Sequence, residues 1–239
     1  MFALILPATE LNPVVRRIDQ MAPCSLERAF FSMGCFLTSE PRFGLIKGVW
    51  KTTVGYAGGR RCTAPSYGDA GDHSEVVMVE YDPRVVTYGQ LLELFLLWGS
   101  RARKPFLSDS RSSSFPYASP RRAFRIFVRN ASERRLAQAA IERSEFSGEG
   151  SASFARISAA GVFYKAEEWC QKYFLRSSAW LMQEIRVSYP DEESLLRSTL
   201  AARLNGILGL PPCTACIPEE IELYDLSETA SLTLKRLLG

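Results

Sequence analysis

Histidine is almost absent: His73 is the only one in 239 residues. A zinc centre would then need most of the six cysteines gathered in one place, and only one C-x-x-C, Cys213 to Cys216, is present. Long apolar runs are missing too. No segment reaches the roughly 18–20 apolar residues of a membrane span, and the densest, LLELFLLW (91–98), reads as a core helix. The first residues lack a basic n-region, and Glu10 and Asp19 interrupt them, which argues against a secretory leader. A disulfide framework is therefore not expected, and scattered cysteines point to redox or catalytic use. The expected location is cytoplasmic, with Arg16 and Arg17 leaving an organelle as the other destination. Net charge is only +3, too weak for nucleic acid to be an expected partner. The arginines between Arg101 and Arg129 form a local basic stretch, read as a solvated loop and strand face.

What is present is core material. Hydrophobic residues make up 46% and charged residues 23%, the balance of a globular domain. No internal repeat is found. The expected organisation is an N-terminal extension (1–25), a main domain (26–185) and a helical C-terminal extension carrying the C-x-x-C tail (186–239). RAFFSMG, VWKTTVGYAGG and SEVVMVEYDP read as strands that end in glycine or Asp-Pro turns. TYGQLLELFLLW reads as a helix with Thr87 as N-cap. RRAFRIFVRN alternates as a half-buried strand, and Asn130 with Glu133 opens the helix that follows it. SFARISAAG reads as a strand, KAEEWCQKYFLRS as a helix, and DEESLLRSTLAARLNGILG as one long helix. LSETASLTLKRLL closes the chain as a last helix. The fold class is α+β, a two-layer sandwich with helices packed on a mixed β-sheet and a helical C-terminal extension.

Cys35 stands where the first strand stops and a helix begins. At a helix N-terminus unpaired N–H groups and the macrodipole favour thiolate over thiol. A cysteine so placed is expected to titrate below its usual value of about 8.5.

The wider text supplies more. MGCFLTSE, VGYAGG, PSY, GDHSEVV and YDPRVVTYGQLLELF follow one another in order. Together they resemble the A-type peptide methionine sulfoxide reductases, closely over residues 27–96. The likeness resumes more loosely through RIFVRNASERRLAQAA and GVFYKAEEWCQKYF. It implies a two-layer α+β fold and reduction of methionine S-sulfoxide, free or in proteins, through a cysteine sulfenic acid. By position, Cys35 would be the nucleophile, Tyr67 would hydrogen-bond the sulfoxide oxygen, and Glu75 would protonate it. Phe36 and Leu37 would line the pocket for the S-methyl group. His73 matches a family position and is left structural. No bound cofactor is implied. Thioredoxin or another dithiol would supply electrons to an enzyme expected to be monomeric and away from membranes. Cys213 and Cys216 would resolve the sulfenic acid, with Cys170 and Cys62 as rivals.

Several positions depart from the family. Leu37 replaces a tryptophan, removing an aromatic wall. Pro41 falls inside the helix after Cys35, where a kink is expected. YASPRRAF stands where the family carries a second tyrosine and an aspartate, and Tyr117 is not established as a substitute. Trp169 and Cys170 replace an acidic or aromatic residue and a histidine. Losing one donor to a developing charge costs on the order of 10²–10³ in rate, so a slow reductase is expected. The alternatives are a degenerate relative acting as a binding or scaffold protein, and a thiol redox sensor.

Overall fold

The structure is a computed structural model that describes residues 15–60, 64–107, 120–146, 155–210 and 218–238. Its centre is a six-stranded mixed sheet in the order β5-β4-β1-β3-β2-β6. The strands are β1 (Glu27–Ser32), β2 (Val49–Ala57), β3 (Ser74–Tyr81), β4 (Arg125–Val128), β5 (Arg156–Ala159) and β6 (Tyr164–Lys165). All neighbours are antiparallel except β4 and β5, which run parallel. The alternation read in the sequence sets the faces, because successive strand residues point to opposite sides. Phe31, Val54, Val77, Val79 and Ile126 enter the main core, which is shared with α3 (Tyr88–Leu107) and α4 (Ala131–Phe146). Their neighbours Phe30, Val76 and Phe127 fill a small cluster on the reverse face with Ala160 and Phe163. At the middle of the main core, Phe31 stacks on Phe43 and Phe95, each at 5.2 Å between ring centroids. Burying such a ring contributes about 1.5–3 kcal/mol.

The caps fall where the sequence put them. Thr87 accepts from the Gln90 N–H at 3.3 Å, and Gln90 Oε1 accepts the Thr87 N–H in return. Asn130 accepts the Glu133 N–H at 2.9 Å. Two expected helices are broken, however. Residues 165–177 form a 3₁₀ turn (Glu168–Cys170) and the short α5 (Tyr173–Arg176), because Lys172 between them is left-handed (φ 51°). The helix after Pro190 divides at Ser198 into α7 (Glu192–Arg197) and α8 (Thr199–Gly209). Asp19 lies behind the second break. It belongs to α1 (Arg17–Gln20), and its carboxylate accepts the N–H groups of Thr199 (2.6 Å) and Leu200 (3.2 Å). An anion there favours a new helix start over continuation of the old one.

A second core gathers α1, α5, α6 (Ala179–Ile185), α7, α8 and α9 (Glu228–Leu238) around Leu175, Leu181, Leu200, Leu204 and Tyr224. It meets the sheet domain where α8 crosses α2 (Phe36–Gly44). The crossing is close: a Cβ on Gly44 would lie 2.4 Å from the Ala202 carbonyl oxygen. Pro41 is part of the contact, since Cβ atoms on Gly206 and Gly209 would run into its carbonyl oxygen and ring. The helix continues through Pro41 to Gly44 and ends three residues later, so only one intrahelical bond is given up.

Under the crossing lies an ion pair with no solvent exposure, Lys172 Nζ to Glu40 Oε1 at 2.5 Å. Lys172 also donates to the Thr52 carbonyl (2.6 Å) and hydroxyl (3.0 Å). Glu40 Oε2 accepts from the Lys172 N–H (3.1 Å) and Asn205 Nδ2 (3.2 Å). Asn205 Oδ1 in turn accepts the Phe174 and Leu175 N–H groups at the start of α5. Lys172→Met strands the Glu40 carboxylate in the core and is expected to lower unfolding free energy by about 3–5 kcal/mol. In urea titrations the exposed control Lys47→Met should stay within about 0.5 kcal/mol of the parent.

Candidate active site

Gly34 is left-handed (φ 74°) and turns the chain out of β1 straight into α2, a conformation glycine adopts without penalty. Cys35 is therefore the N-cap of α2, with extended backbone (ψ 122°) and a half-buried free thiol. Its carbonyl accepts the Thr38 and Ser39 N–H groups and both hydroxyls, so its backbone is held from several sides.

The Phe36 N–H, in the helix's first turn, donates to Glu75 Oε2 at 2.9 Å. A carboxylate is thus docked at the positive end of α2, one residue from the thiol. Glu75 reaches it from β3, where it pairs with Tyr56 of β2. Its side chain is fully buried, yet its setting is charged. Arg121 Nε contacts Glu75 Oε1 at 2.5 Å, and the more exposed Arg122 Nε lies 4.0 Å from the same oxygen.

Tyr67 completes the cluster. Its ring lies 6.2 Å from that of Phe36 and edge-on to Trp169 at 4.7 Å, and the Arg121 guanidinium sits 4.7 Å from its centroid. Glu167 fixes the backbone of this loop, accepting the Tyr67 N–H at 2.7 Å and the Tyr56 hydroxyl at 3.0 Å. Burial opposes the Glu167 charge, but these bonds outweigh it and hold the carboxyl below its ordinary range. The segment bearing Glu167, Trp169 and Cys170 is pinned by Gln171. Its amide exchanges hydrogen bonds with Val54 N–H (2.9 Å) and Val54 C=O (2.8 Å), continuing the sheet edge past β6.

The electrostatics reverse one expectation. Burial raises the Cys35 thiol and the Glu75 charge adds to it. The N–H groups of Leu37 and Thr38, with Arg122, pull the other way without prevailing. Helix placement alone would have produced a depressed thiol; a carboxylate docked at the same helix end, together with desolvation, produces a raised one. Burial also raises the Tyr67 phenol, with Cys35 and Glu75 adding and the two arginines opposing. Cys170 is fully buried 3.9 Å from Glu167, and desolvation followed by that charge pushes its thiol up to about 12.

Cys35, Phe36, Tyr67 and Glu75 are thus brought together. Leu37 is buried in the main core beside them. Cys213, Cys216, Cys62 and Tyr117 lie outside the described residues. Sequence reasoning missed Arg121, Arg122, Glu167 and Tyr56. The signal for the arginines was their position in YASPRRAF, the stretch where a polar pair was expected and two cations stand. Tyr56 lay within the quoted VGYAGG, and Glu167 two residues before the noted departures.

Residues 27–202 match the model of a protein family described as peptide methionine sulfoxide reductase. Peptide methionine sulfoxide reductase A5 of Arabidopsis thaliana is 40% identical over 181 residues, 76% of this chain and 67% of that one. The peptide methionine sulfoxide reductase of Drosophila melanogaster is 33% identical over 181 residues, 76% and 68% of the two chains. Among solved structures, reduced Mxr1 of Saccharomyces cerevisiae overlays with a TM-score of 0.49 at 22% identity, covering 66% of this chain and 88% of its own.

Thiol titration tests the electrostatic picture. With iodoacetamide and peptide mapping, Cys35 is expected to label half-maximally above the ordinary thiol value of about 8.5, since its neutral form is the favoured one. Cys170 should stay unlabelled until the protein is unfolded. A Cys35 midpoint below pH 8 would show that the helix end outweighs Glu75 and burial.

Proposed function

The chain belongs to the peptide methionine sulfoxide reductase family, and from that membership we propose how its residues divide the work of reducing a sulfoxide with a thiol. Cys35 is the nucleophile, Glu75 the proton relay and Tyr67 a donor to the sulfoxide oxygen. The observation that carries this reading is the hydrogen bond from Phe36 N–H to Glu75. It fixes a carboxylate beside the residue that bears the thiol.

A sulfoxide oxygen leaves only with a proton. A thiol that rests in its neutral form brings that proton with it, and Glu75 is the group assigned here to pass it on. The Cys35 thiol proton moves to Glu75 as sulfur attacks the sulfoxide sulfur. The oxygen then takes that proton from Glu75 and shifts to Cys35, as the substrate S–O bond and the transient sulfur–sulfur bond both break. The products are methionine and Cys35 sulfenic acid, with oxygen transferred and protons conserved. Arg121 keeps Glu75 in position and sets a positive charge over Tyr67, next to where negative charge develops on oxygen. Trp169, exposed and edge-on to Tyr67, offers the aromatic wall that Leu37 cannot. The S-epimer preference is inherited from the sequence resemblance.

Turnover then requires two electrons. A second thiol condenses with the sulfenic acid and releases water, and a dithiol reductant restores Cys35. Thioredoxin is the protein dithiol that fits this role. We assign the resolving step to Cys213 or Cys216, with Cys170 as the rival within the described residues.

The test is reduction of a peptide carrying methionine S-sulfoxide, with dithiothreitol as reductant. Cys35→Ser is expected to abolish turnover. Glu75→Gln and Arg121→Met are each expected to lower kcat by on the order of 10²–10³, with smaller effects on KM. A parent protein that is folded and reduces nothing would move the assignment to the binding-protein reading.

A further inference from the structure

We propose that Arg122 seats a carboxylate of the substrate, so that the site prefers methionine sulfoxide next to an acidic group over the same residue in neutral or basic surroundings. This rests on the reductase reading and adds a substrate class to it.

The two neighbouring arginines differ in what they are given to do. Arg121 is committed to Glu75 at 2.5 Å, packs against Tyr67, and has a side chain only 26% exposed. Arg122 is 45% exposed. Its Nε lies 4.0 Å from Glu75, beyond hydrogen-bond range, and the oxygen it faces is already taken by Arg121. Among the described residues no other carboxylate lies within 4 Å of it.

Arg122 is nevertheless part of the site. Burial and Glu75 raise the Cys35 thiol, and Arg122 is among the groups that pull it back. It acts on the Tyr67 phenol in the same direction. Its Nε lies 4.0 Å from the carboxylate that accepts the Phe36 N–H, which puts an exposed guanidinium beside the helix end that bears the thiol. A planar guanidinium recognises a carboxylate through two parallel N–H donors. The exposed Trp169, edge-on to Tyr67, offers aromatic surface with no charge of its own. The carboxylate can come from an Asp or Glu side chain beside the sulfoxide residue, or from the α-carboxylate of free or C-terminal methionine sulfoxide.

The experiment uses the full chain with dithiothreitol and five blocked peptides. Three place Glu, Gln or Lys after methionine S-sulfoxide, and two end at the sulfoxide residue as free acid or as amide. The parent is expected to favour Glu over Gln about 3- to 10-fold in kcat/KM, chiefly through KM, with Lys below Gln. This preference should shrink in 0.5 M NaCl. Arg122→Gln should bring the Glu-to-Gln ratio close to one, Arg122→Lys should keep part of it, and Arg122→Glu should invert it. If the free acid beats its amide while Glu and Gln peptides are alike, the carboxylate seated is the main-chain one. Equal rates for Glu, Gln and Lys and for acid and amide, or a preference that survives Arg122→Gln, overturn the proposal. Calorimetric binding of the same peptides to Cys35→Ser decides the charge preference even if the parent turns over none of them. In that outcome the reductase reading fails separately.

Discussion

A carboxylate and an ammonium with no solvent exposure, Glu40 and Lys172, hold the two halves of this molecule in register. Burying such a pair is costly unless every donor and acceptor finds a partner. Here they do: the Thr52 hydroxyl and carbonyl, the Lys172 N–H and Asn205 complete the set. Each partner comes from a different element, so the network ties α2 to β2, to the start of α5 and to α8. The left-handed turn at Lys172 is what lets its ammonium and its N–H both face Glu40. The site depends on this tie because α2 also begins at Cys35. Five residues separate the nucleophile from the buried carboxylate, less than two turns of helix. The helical extension is therefore bound into the same framework that aims the thiol.

A second carboxylate governs the chemistry. A cysteine capping a helix is ordinarily pushed toward thiolate. In this chain the helix's first-turn N–H is given to Glu75, and the thiol shares its helix end with a negative charge. The consequence is a thiol that favours its neutral form, and in the proposed role it would carry its proton into the reaction. For sulfoxide reduction that suits the stoichiometry, since the leaving oxygen must be protonated. Peroxide sensing gains less from it, since there the thiolate is the reactive form.

What the sequence made legible was local or carried by several residues in order. Strands β1 to β3 were readable from alternation and their glycine or Asp-Pro ends, and the caps at Thr87 and Asn130 from their spacing. The motifs that occur in order singled out Cys35, Tyr67 and Glu75, and the fold brings them into one cluster. The failures share a cause: the deciding partner lies far along the chain. Ser198 starts a new helix because Asp19, 180 residues earlier than Thr199, accepts its first N–H groups. Lys172 interrupts a helical pattern because Glu40 draws it into the core. The Cys35 thiol was misjudged because Glu75 reaches it across the sheet. Arg121 and Arg122 follow a serine-rich stretch with no periodicity, so nothing in their neighbours distinguished a site residue from a solvated one.

The same pair of arginines bears on how a lost donor is compensated. YASPRRAF carries no recognised counterpart of the family's second tyrosine and aspartate, and a site with the carboxylates of Glu75 and Glu167 alone would face a developing oxyanion with negative charge. Arg121 and Arg122 reverse that balance. One guanidinium offsets Glu75 directly, and the second adds a positive field at the thiol and the phenol. A cation is a stronger stabiliser of oxygen charge than a phenol, but it is less selective, because it attracts any carboxylate within reach. A site repaired with arginine therefore acquires a charge preference that a site built from tyrosine lacks. A carboxylate seated on Arg122 would also cancel part of the field that lowers the Cys35 thiol. Tighter binding of an acidic substrate then comes with a thiol that holds its proton more firmly. The proposed reactivity and the proposed substrate preference thus depend on the same few charges.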